Sequence, residues 1–377
     1  MIYLDHAATT PLLPEVAEAM YAVLKDDFAN PSAQYPAGQA MAKQVAAWRQ
    51  TIATAVGCQP KQLHFTSCGT EANNWAISAA LWQNRHVGKH IVTTAVEHSA
   101  VVAPCEWWAK QGYEVTTIAP DSQGHITPEQ VLDAVRDDTA LVSIMLVNNE
   151  LGTVYPVDAI ANGLALKNPK TLLHTDAVQG FLKVGFTAKT LGADFISIAA
   201  HKISGPKGIG ALYIGDRVRN PKPLLAGGAQ EQGHRAGTEA TAQMAGFAKA
   251  VELRTATLSN DLAHMQALQD YAISKIPTVT GLQLLTNPSA PHILALSLSG
   301  YPAGNIVTDL GSQGICISAG SACHQGKASH VISALKLPKK VTAGVIRLSF
   351  GVSTTTEDVD ACFAALDAHQ KSRFPML

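Results

Sequence analysis

The sequence predicts an α/β protein: a mostly parallel sheet covered by helices, followed by a smaller α+β region. Three observations predict it. From about residue 60 to 215, short β-branched runs alternate with helix-like stretches, the pattern of strands joined by helical crossovers. Polar clusters follow the apolar runs in a constant sense. After about residue 257 the alternation gives way to a different mixture of helices and strands.

The strands of the first region are expected at 63–66, 90–94, 113–118, 139–147, 171–175, 195–199 and 210–214, each β-branched or apolar and bounded by turn residues. Helical patterns lie between them, such as 71–82 and 128–136. The second opens with Thr127-Pro128-Glu129-Gln130, a capping box with proline at the first helical position. Beyond, an amphipathic stretch at 258–276 leads to a strand at 293–298 and a helix near 304–313. A strand at 345–350 and a closing helix from 356 to about 369 complete the pattern. The glycine-rich loop 227–237 is expected between the two parts. No internal repeat or low-complexity tail is visible.

Composition narrows the function. The 377 residues carry 28 Lys+Arg against 29 Asp+Glu, a formal charge of -1, so no global field favours nucleic acid or an anionic membrane. A local basic patch stays open. Hydrophobic residues make up 47% and charged ones 15%, which suits a sizeable core and two domains. No apolar run approaches the ~20 residues of a transmembrane helix. The start, Met1-Ile2-Tyr3-Leu4-Asp5-His6, has an acid where a signal peptide would be basic, so a cytoplasmic location is expected. The six cysteines (Cys58, Cys68, Cys105, Cys316, Cys323, Cys362) form no C-x-x-C pair, which argues against zinc ligation and a disulfide framework and leaves no metal site expected.

The polar clusters are Ser67-Cys68-Gly69-Thr70-Glu71, Glu97-His98, Asn148-Asn149-Glu150, Asp176 with Gln179, and His201-Lys202. In a parallel sheet they all fall at the carboxyl edge, where open α/β sheets bind ligands. Cys68-Gly69-Thr70 precedes a helix, so free N–H groups and a hydroxyl could cradle a phosphate; the alternative is an ordinary cap. Asp176 could pair with a protonated ring nitrogen or simply end a turn. His98 could stack on a flat cofactor or serve structurally. Lys202, in a run with little charge, could form a Schiff base or snorkel at the surface. Phosphate cradle, ring-stacking group, carboxylate and amine together are the parts pyridoxal phosphate requires.

Longer motifs then become family-specific. Tyr3 through Pro11, Phe65-Thr66-Ser67-Cys68-Gly69-Thr70-Glu71-Ala72-Asn73-Asn74, His174-Thr175-Asp176-Ala177-Val178-Gln179, His201-Lys202 through Gly210, Arg235-Ala236-Gly237-Thr238-Glu239 and Ser318-Ala319-Gly320-Ser321-Ala322-Cys323 resemble the class V aminotransferase-fold cysteine desulfurases of the nitrogenase-maturation and iron–sulfur type. The resemblance covers nearly the whole chain. It implies the aspartate-aminotransferase-like fold of pyridoxal-phosphate-dependent transferases, with a mostly parallel seven-stranded sheet. A large cofactor-binding domain would span 13–256. A small one, of 1–12 and 257–377, would carry the cysteine loop.

By the same resemblance Lys202 would carry the cofactor, His98 would stack on its ring, Asp176 would pair with the ring nitrogen and Gln179 with the phenolic oxygen. Gly69, Thr70 and His201 would hold the phosphate, with Thr238 reaching in from the partner of a homodimer. Asn149 and Arg347 match positions that hold the substrate carboxylate, and a guanidinium suits that task. Cys323 matches the nucleophile that takes sulfur from L-cysteine as a persulfide, leaving L-alanine. The resemblance also implies a sulfur-acceptor protein, with iron–sulfur cluster assembly the commonest destination and thiolation another; a [2Fe–2S] cluster shared through Cys323 would be transient. A selenocysteine lyase or another lyase or transaminase of the fold is the alternative.

Three positions depart from the pattern. Cys68 stands where the family usually has glycine or alanine, as an inert small residue or a second oxidisable thiol. Ala199 replaces a phosphate-binding serine, removing a hydrogen bond of roughly 1–3 kcal/mol. The segment from Cys323 to Ser329 is about two residues shorter than usual, which bears on the reach of the cysteine loop.

Overall fold

The structure, a computed structural model, describes residues 1–320 and 329–372. In chain order its strands are β1 (Ile2–Tyr3), β2 (Leu63–Thr66), β3 (His90–Thr94), β4 (Glu114–Ile118), β5 (Thr139–Ser143), β6 (Leu172–Asp176), β7 (Phe195–Ala199), β8 (Gly210–Ile214), β9 (Leu282–Leu284), β10 (Ile293–Leu298), β11 (Ile315–Cys316), β12 (Ser318–Ala319) and β13 (Val345–Ser349). The helices are α1 (Pro14–Lys25), α2 (Pro36–Val56), α3 (Gly69–Gln83), α4 (Ser99–Lys110), α5 (Pro128–Ala134), α6 (Val157–Lys167), α7 (Ala188–Leu191), α8 (Thr241–Lys275), α9 (Ala303–Ser312), α10 (His330–Ala334), α11 (Lys339–Ala343) and α12 (Thr356–Ser372).

Seven strands form one sheet in the order β2-β8-β7-β6-β5-β3-β4. β4, β3, β5, β6 and β7 are parallel, whereas β8 runs antiparallel to both β7 and β2. β2 therefore points the same way as the parallel strands. Alternation within the strands builds two cores. Ile91, Leu141, Leu172, Phe195 and Leu212 pack with α3 and α4. Their neighbours Val92, Val142, Leu173, Ile196 and Ala211 pack in the core that holds α1, α2, α5, α6 and the start of α8. A sheet buried on both faces explains why its strands read as nearly continuous apolar runs. Burying one of the large aliphatic side chains contributes roughly 1.5–3 kcal/mol.

A four-stranded antiparallel sheet, β12-β13-β10-β9, and the β1–β11 pair lie over a third core with the end of α8, α9 and α12. None of the described helices is long and apolar enough to cross a membrane.

Several sequence expectations change, among them the strand expected at 139–147, which ends at Ser143. The helix expected from residue 258 is α8, already helical at Thr241. Its first half is rich in small residues, Ala242, Ala245, Gly246, Ala248 and Ala250, which give no clear period. Those residues allow close packing on α1: a Cβ at Gly246 would fall 2.7 Å from Met20. The glycine-rich loop also packs differently from expectation. Glu231 within it accepts two 2.7 Å bonds from Arg49 on α2 and one of 2.9 Å from the Phe65 N–H on β2. The loop is thus pinned to the large sheet, by a bidentate ion pair whose Glu231 side chain is only 3% exposed.

Breaking such a pair leaves one charge uncompensated. Glu231→Ala is expected to lower the unfolding free energy by ~3 kcal/mol in urea titrations; a loss under ~1 kcal/mol would mean the pair is solvated.

Candidate active site

Because β2, β3, β5, β6 and β7 share one direction, the segments that follow them meet at one edge. There they line a cavity of about 430 Å³ with Gly69, Thr70, Glu97, His98, Asn149, Glu150, Asp176, Gln179, His201 and Lys202. The reversed strand β8 delivers nothing to it. Arg347 of β13 closes the cavity from the small-sheet side, and Ala7 and Ala8 cross it.

At the start of α3, Cys68 is the cap residue, its sulfur accepting the Glu71 N–H at 3.4 Å. Thr70 is exposed. Gly69 has no room for a side chain, since a Cβ would fall 2.8 Å from Val178. The helix start therefore presents backbone N–H groups and a hydroxyl to the cavity, a geometry suited to an anion.

Asp176 ends β6 and is buried. One carboxylate oxygen accepts from the Asn73 side chain at 2.6 Å and the other from the Val178 N–H at 3.0 Å. Sequence reasoning gave Asn73 no role; its signal was its place one turn into α3, after Gly69. His98 caps α4, its Nδ1 accepting the Ala100 N–H at 3.1 Å. That bond assigns the neutral-ring hydrogen to Nε2. Burial pushes the His98 pKa down, with Lys202 and His330 adding to the shift and Asp176 opposing it. His201 is pushed down to about 4, by burial and then by Lys202, Lys207 and Lys183. Both rings are neutral near pH 7.

Lys202 follows β7 and its ammonium donates to the Ala7 and Ala8 carbonyls at 2.6 and 2.8 Å. Gln179 donates to the same Ala7 carbonyl at 2.8 Å, leaving its side-chain oxygen buried without a partner. Arg347 is buried, donating to the Asn149 carbonyl at 2.6 Å and to Asp5 at 2.7 Å. Its Nε and the Asn149 Oδ1 are without partners. These orphaned groups surround a cavity that also has an amine, a held carboxylate and an anion-binding helix start. The set fits pyridoxal phosphate bound with an amino acid.

Two of the sequence-predicted residues stand apart from this set. Thr238 is exposed and does not line this chain's cavity. Cys323 lies outside the described residues; Gly320 and Ser329, to either side of it, line the cavity. Burial pushes the thiols of Cys58, Cys105 and Cys362 up to about 12, which keeps them protonated and inert.

The profile of the family "Aminotransferase class-V" matches residues 2–362. A cysteine desulfurase IscS of Methanosarcina thermophila is 39% identical over 363 residues, covering 95% of this chain and 89% of that protein. Among solved structures, a NifS-like protein superposes with a TM-score of 0.93 at 31% identity, covering 99% of this chain and 100% of its own. SspA in complex with cysteine superposes with a TM-score of 0.81 at 30% identity, covering 94% of this chain and 100% of its own.

The cavity also holds a group whose titration is testable. Glu97 is fully buried, with Oε1 accepting from the Thr94 hydroxyl and the Met145 N–H and Oε2 unpartnered. Burial raises its pKa to about 8, against those two hydrogen bonds and with Asp176 adding to the rise. Between its unfolded value and about 8 the folded state binds the extra proton, so this group lowers stability as pH rises through that window. Thermal unfolding of Glu97→Gln should gain on the parent steadily from about pH 5 to about pH 8; parallel curves would place the carboxylate in a solvated setting.

Proposed function

This chain belongs to the aminotransferase class-V family, and from that premise we infer that it is a pyridoxal-phosphate-dependent cysteine desulfurase, which removes the sulfur of L-cysteine and releases L-alanine. The observation that carries the reading is the convergence of Lys202, Asp176 and His98 with the start of α3 on one cavity. When bound, the cofactor supplies an electron sink for bond breaking next to the amino-acid nitrogen.

The chain's residues supply the remainder. Lys202 is the amine that joins the cofactor and the group that carries protons at Nζ. Its rest position against the Ala7 and Ala8 carbonyls holds it at the cavity floor. Asp176, fixed by Asn73 and the Val178 N–H, would pair with the ring nitrogen. His98, neutral and oriented by its own helix cap, offers a flat face for stacking. Gln179 lies on the same floor with a free side-chain oxygen. Gly69, Thr70 and His201 hold the phosphate, without the serine hydroxyl that Ala199 replaces. Asn149 and Arg347 hold the substrate carboxylate.

Cys323 accepts the sulfur. Its thiolate attacks the substrate sulfur, an S–S bond forms, the C–S bond breaks, and the electron pair left on carbon takes a proton to give alanine. The sulfur is oxidised and the carbon reduced, so no external oxidant is needed. The persulfide then passes to an acceptor protein, with iron–sulfur assembly or thiolation downstream.

We also propose that the working form is a cytoplasmic homodimer. Thr238 is exposed and does not line its own cavity, as a residue serving the partner's phosphate site would be. Within each subunit, 13–256 forms the cofactor-binding part and 1–12 with 257–377 the smaller one, α8 running through the junction.

Cys323→Ser, given cysteine and a thiol reductant, is expected to retain the cofactor's absorbance while losing alanine and sulfide production by about a hundredfold or more, the scale of a lost nucleophile. Undiminished turnover would remove Cys323 from the reaction.

A further inference from the structure

Glu150 stands beside the groups assigned to the substrate carboxylate, yet none of the roles above uses it. It follows Asn149 in the turn after β5 and lines the cavity. Its Oε1 accepts from the Ser329 hydroxyl at 2.7 Å, and its Oε2 is buried with no partner. The nearby cation is already partly engaged, because the two terminal nitrogens of Arg347 donate to Asp5 and the Asn149 carbonyl and leave only Nε unpartnered. Among the described residues at this end of the cavity, one positive charge therefore faces Asp5, and an ionised Glu150 would add a second negative one. An incoming carboxylate would bring a third.

We propose that Glu150 is a specificity-determining residue: as a neutral acid it admits the substrate carboxylate beside Asn149 and Arg347, and as a carboxylate it repels it. The inference rests on the desulfurase reading, in that it takes an amino-acid substrate with its carboxylate at this end. The electrostatic setting agrees. Burial lifts Glu150 to about 7, while the Ser329 hydrogen bond and the Arg347 charge restrain the rise. Among the described residues, the charged or titratable groups around it are Arg347 from β13 with Asp5 on its fork, and His330 from the start of α10, whose Nε2 meets the Glu97 carbonyl at 2.8 Å. Glu97 and His98 precede α4, and Lys202 and Asp176 complete the cavity wall.

The sign follows. As pH rises through about 7 the folded protein loses the neutral form of Glu150, and affinity for an amino-acid carboxylate falls. Glu150→Gln keeps a neutral side chain of the same shape at every pH. Ser329→Ala removes a donor that favours the ionised form, so it moves the transition to higher pH.

The experiment titrates the holoenzyme with L-alanine, which has the carboxylate and lacks the thiol, and follows the cofactor's visible absorbance from about pH 6 to about pH 8. The ratio of parent to Glu150→Gln dissociation constants is expected to grow about tenfold across that range, the span of one ionisation. Ser329→Ala should displace that growth upward in pH. A ratio independent of pH, or a Ser329→Ala curve that coincides with the parent's, would overturn the role of Glu150 while leaving the desulfurase reading intact. If neither alanine nor cysteine perturbs the absorbance of any of the three proteins, the desulfurase reading falls and this inference falls with it.

Discussion

The site depends on a short strip of backbone, Asp5 to Ala8, laid between the two sheets. Its Ala7 carbonyl takes hydrogen bonds from both Lys202 and Gln179, and its Ala8 carbonyl takes a second from Lys202. From the other side the Ala7 N–H donates to the Ser349 hydroxyl at 2.8 Å, and Asp5 pairs with Arg347. One turn, closed by the Ala8 N–H on the Asp5 carbonyl at 3.0 Å, thus positions the amine and the guanidinium relative to each other, although Lys202 and Arg347 lie far apart in sequence. The strip is itself held by the parallel pairing of β1 with β11 and by the bridge from Asp5 to Ser349.

The second constraint is strand direction. Five strands that point the same way bring their following turns to one edge, and the one reversed strand, β8, completes the sheet without contributing to the cavity. What collects there is costly for the protein by itself. Gln179 Oε1, Asn149 Oδ1, Glu97 Oε2, Glu150 Oε2 and Arg347 Nε are all buried without partners, and each such group opposes folding by roughly 1–3 kcal/mol when nothing satisfies it. Their concentration in one cavity is the expected signature of a site whose polar complement arrives with a ligand.

Much of this was legible in the sequence. β2, β3, β7, β8 and β10 have the predicted bounds, because strands buried on both faces leave uninterrupted apolar runs between turn residues. Lys202, Asp176, His98 and Gln179 could be placed at one edge because each follows such a run. The helices α1 and α2 were not read: α2 shows only a sparse apolar stripe, at Met41, Val45, Ile52 and Val56. The early start of α8 was hidden by its small residues. The seat of Lys202 was hidden for another reason, since a carbonyl carries no side-chain signal and Ala7 and Ala8 look like filler. Likewise the hold of Asn73 on Asp176 joins residues 103 positions apart, and no local pattern announces it.

The central claim is that the amine of Lys202 joins the cofactor at this floor. Borohydride reduction of the holoenzyme, followed by peptide mapping, tests it most directly because the reduced linkage survives digestion. The pyridoxyl group is expected on the peptide containing Lys202 and on no other lysine. Finding it on Lys183 or Lys207 instead, or finding no labelled lysine at all, would contradict the account.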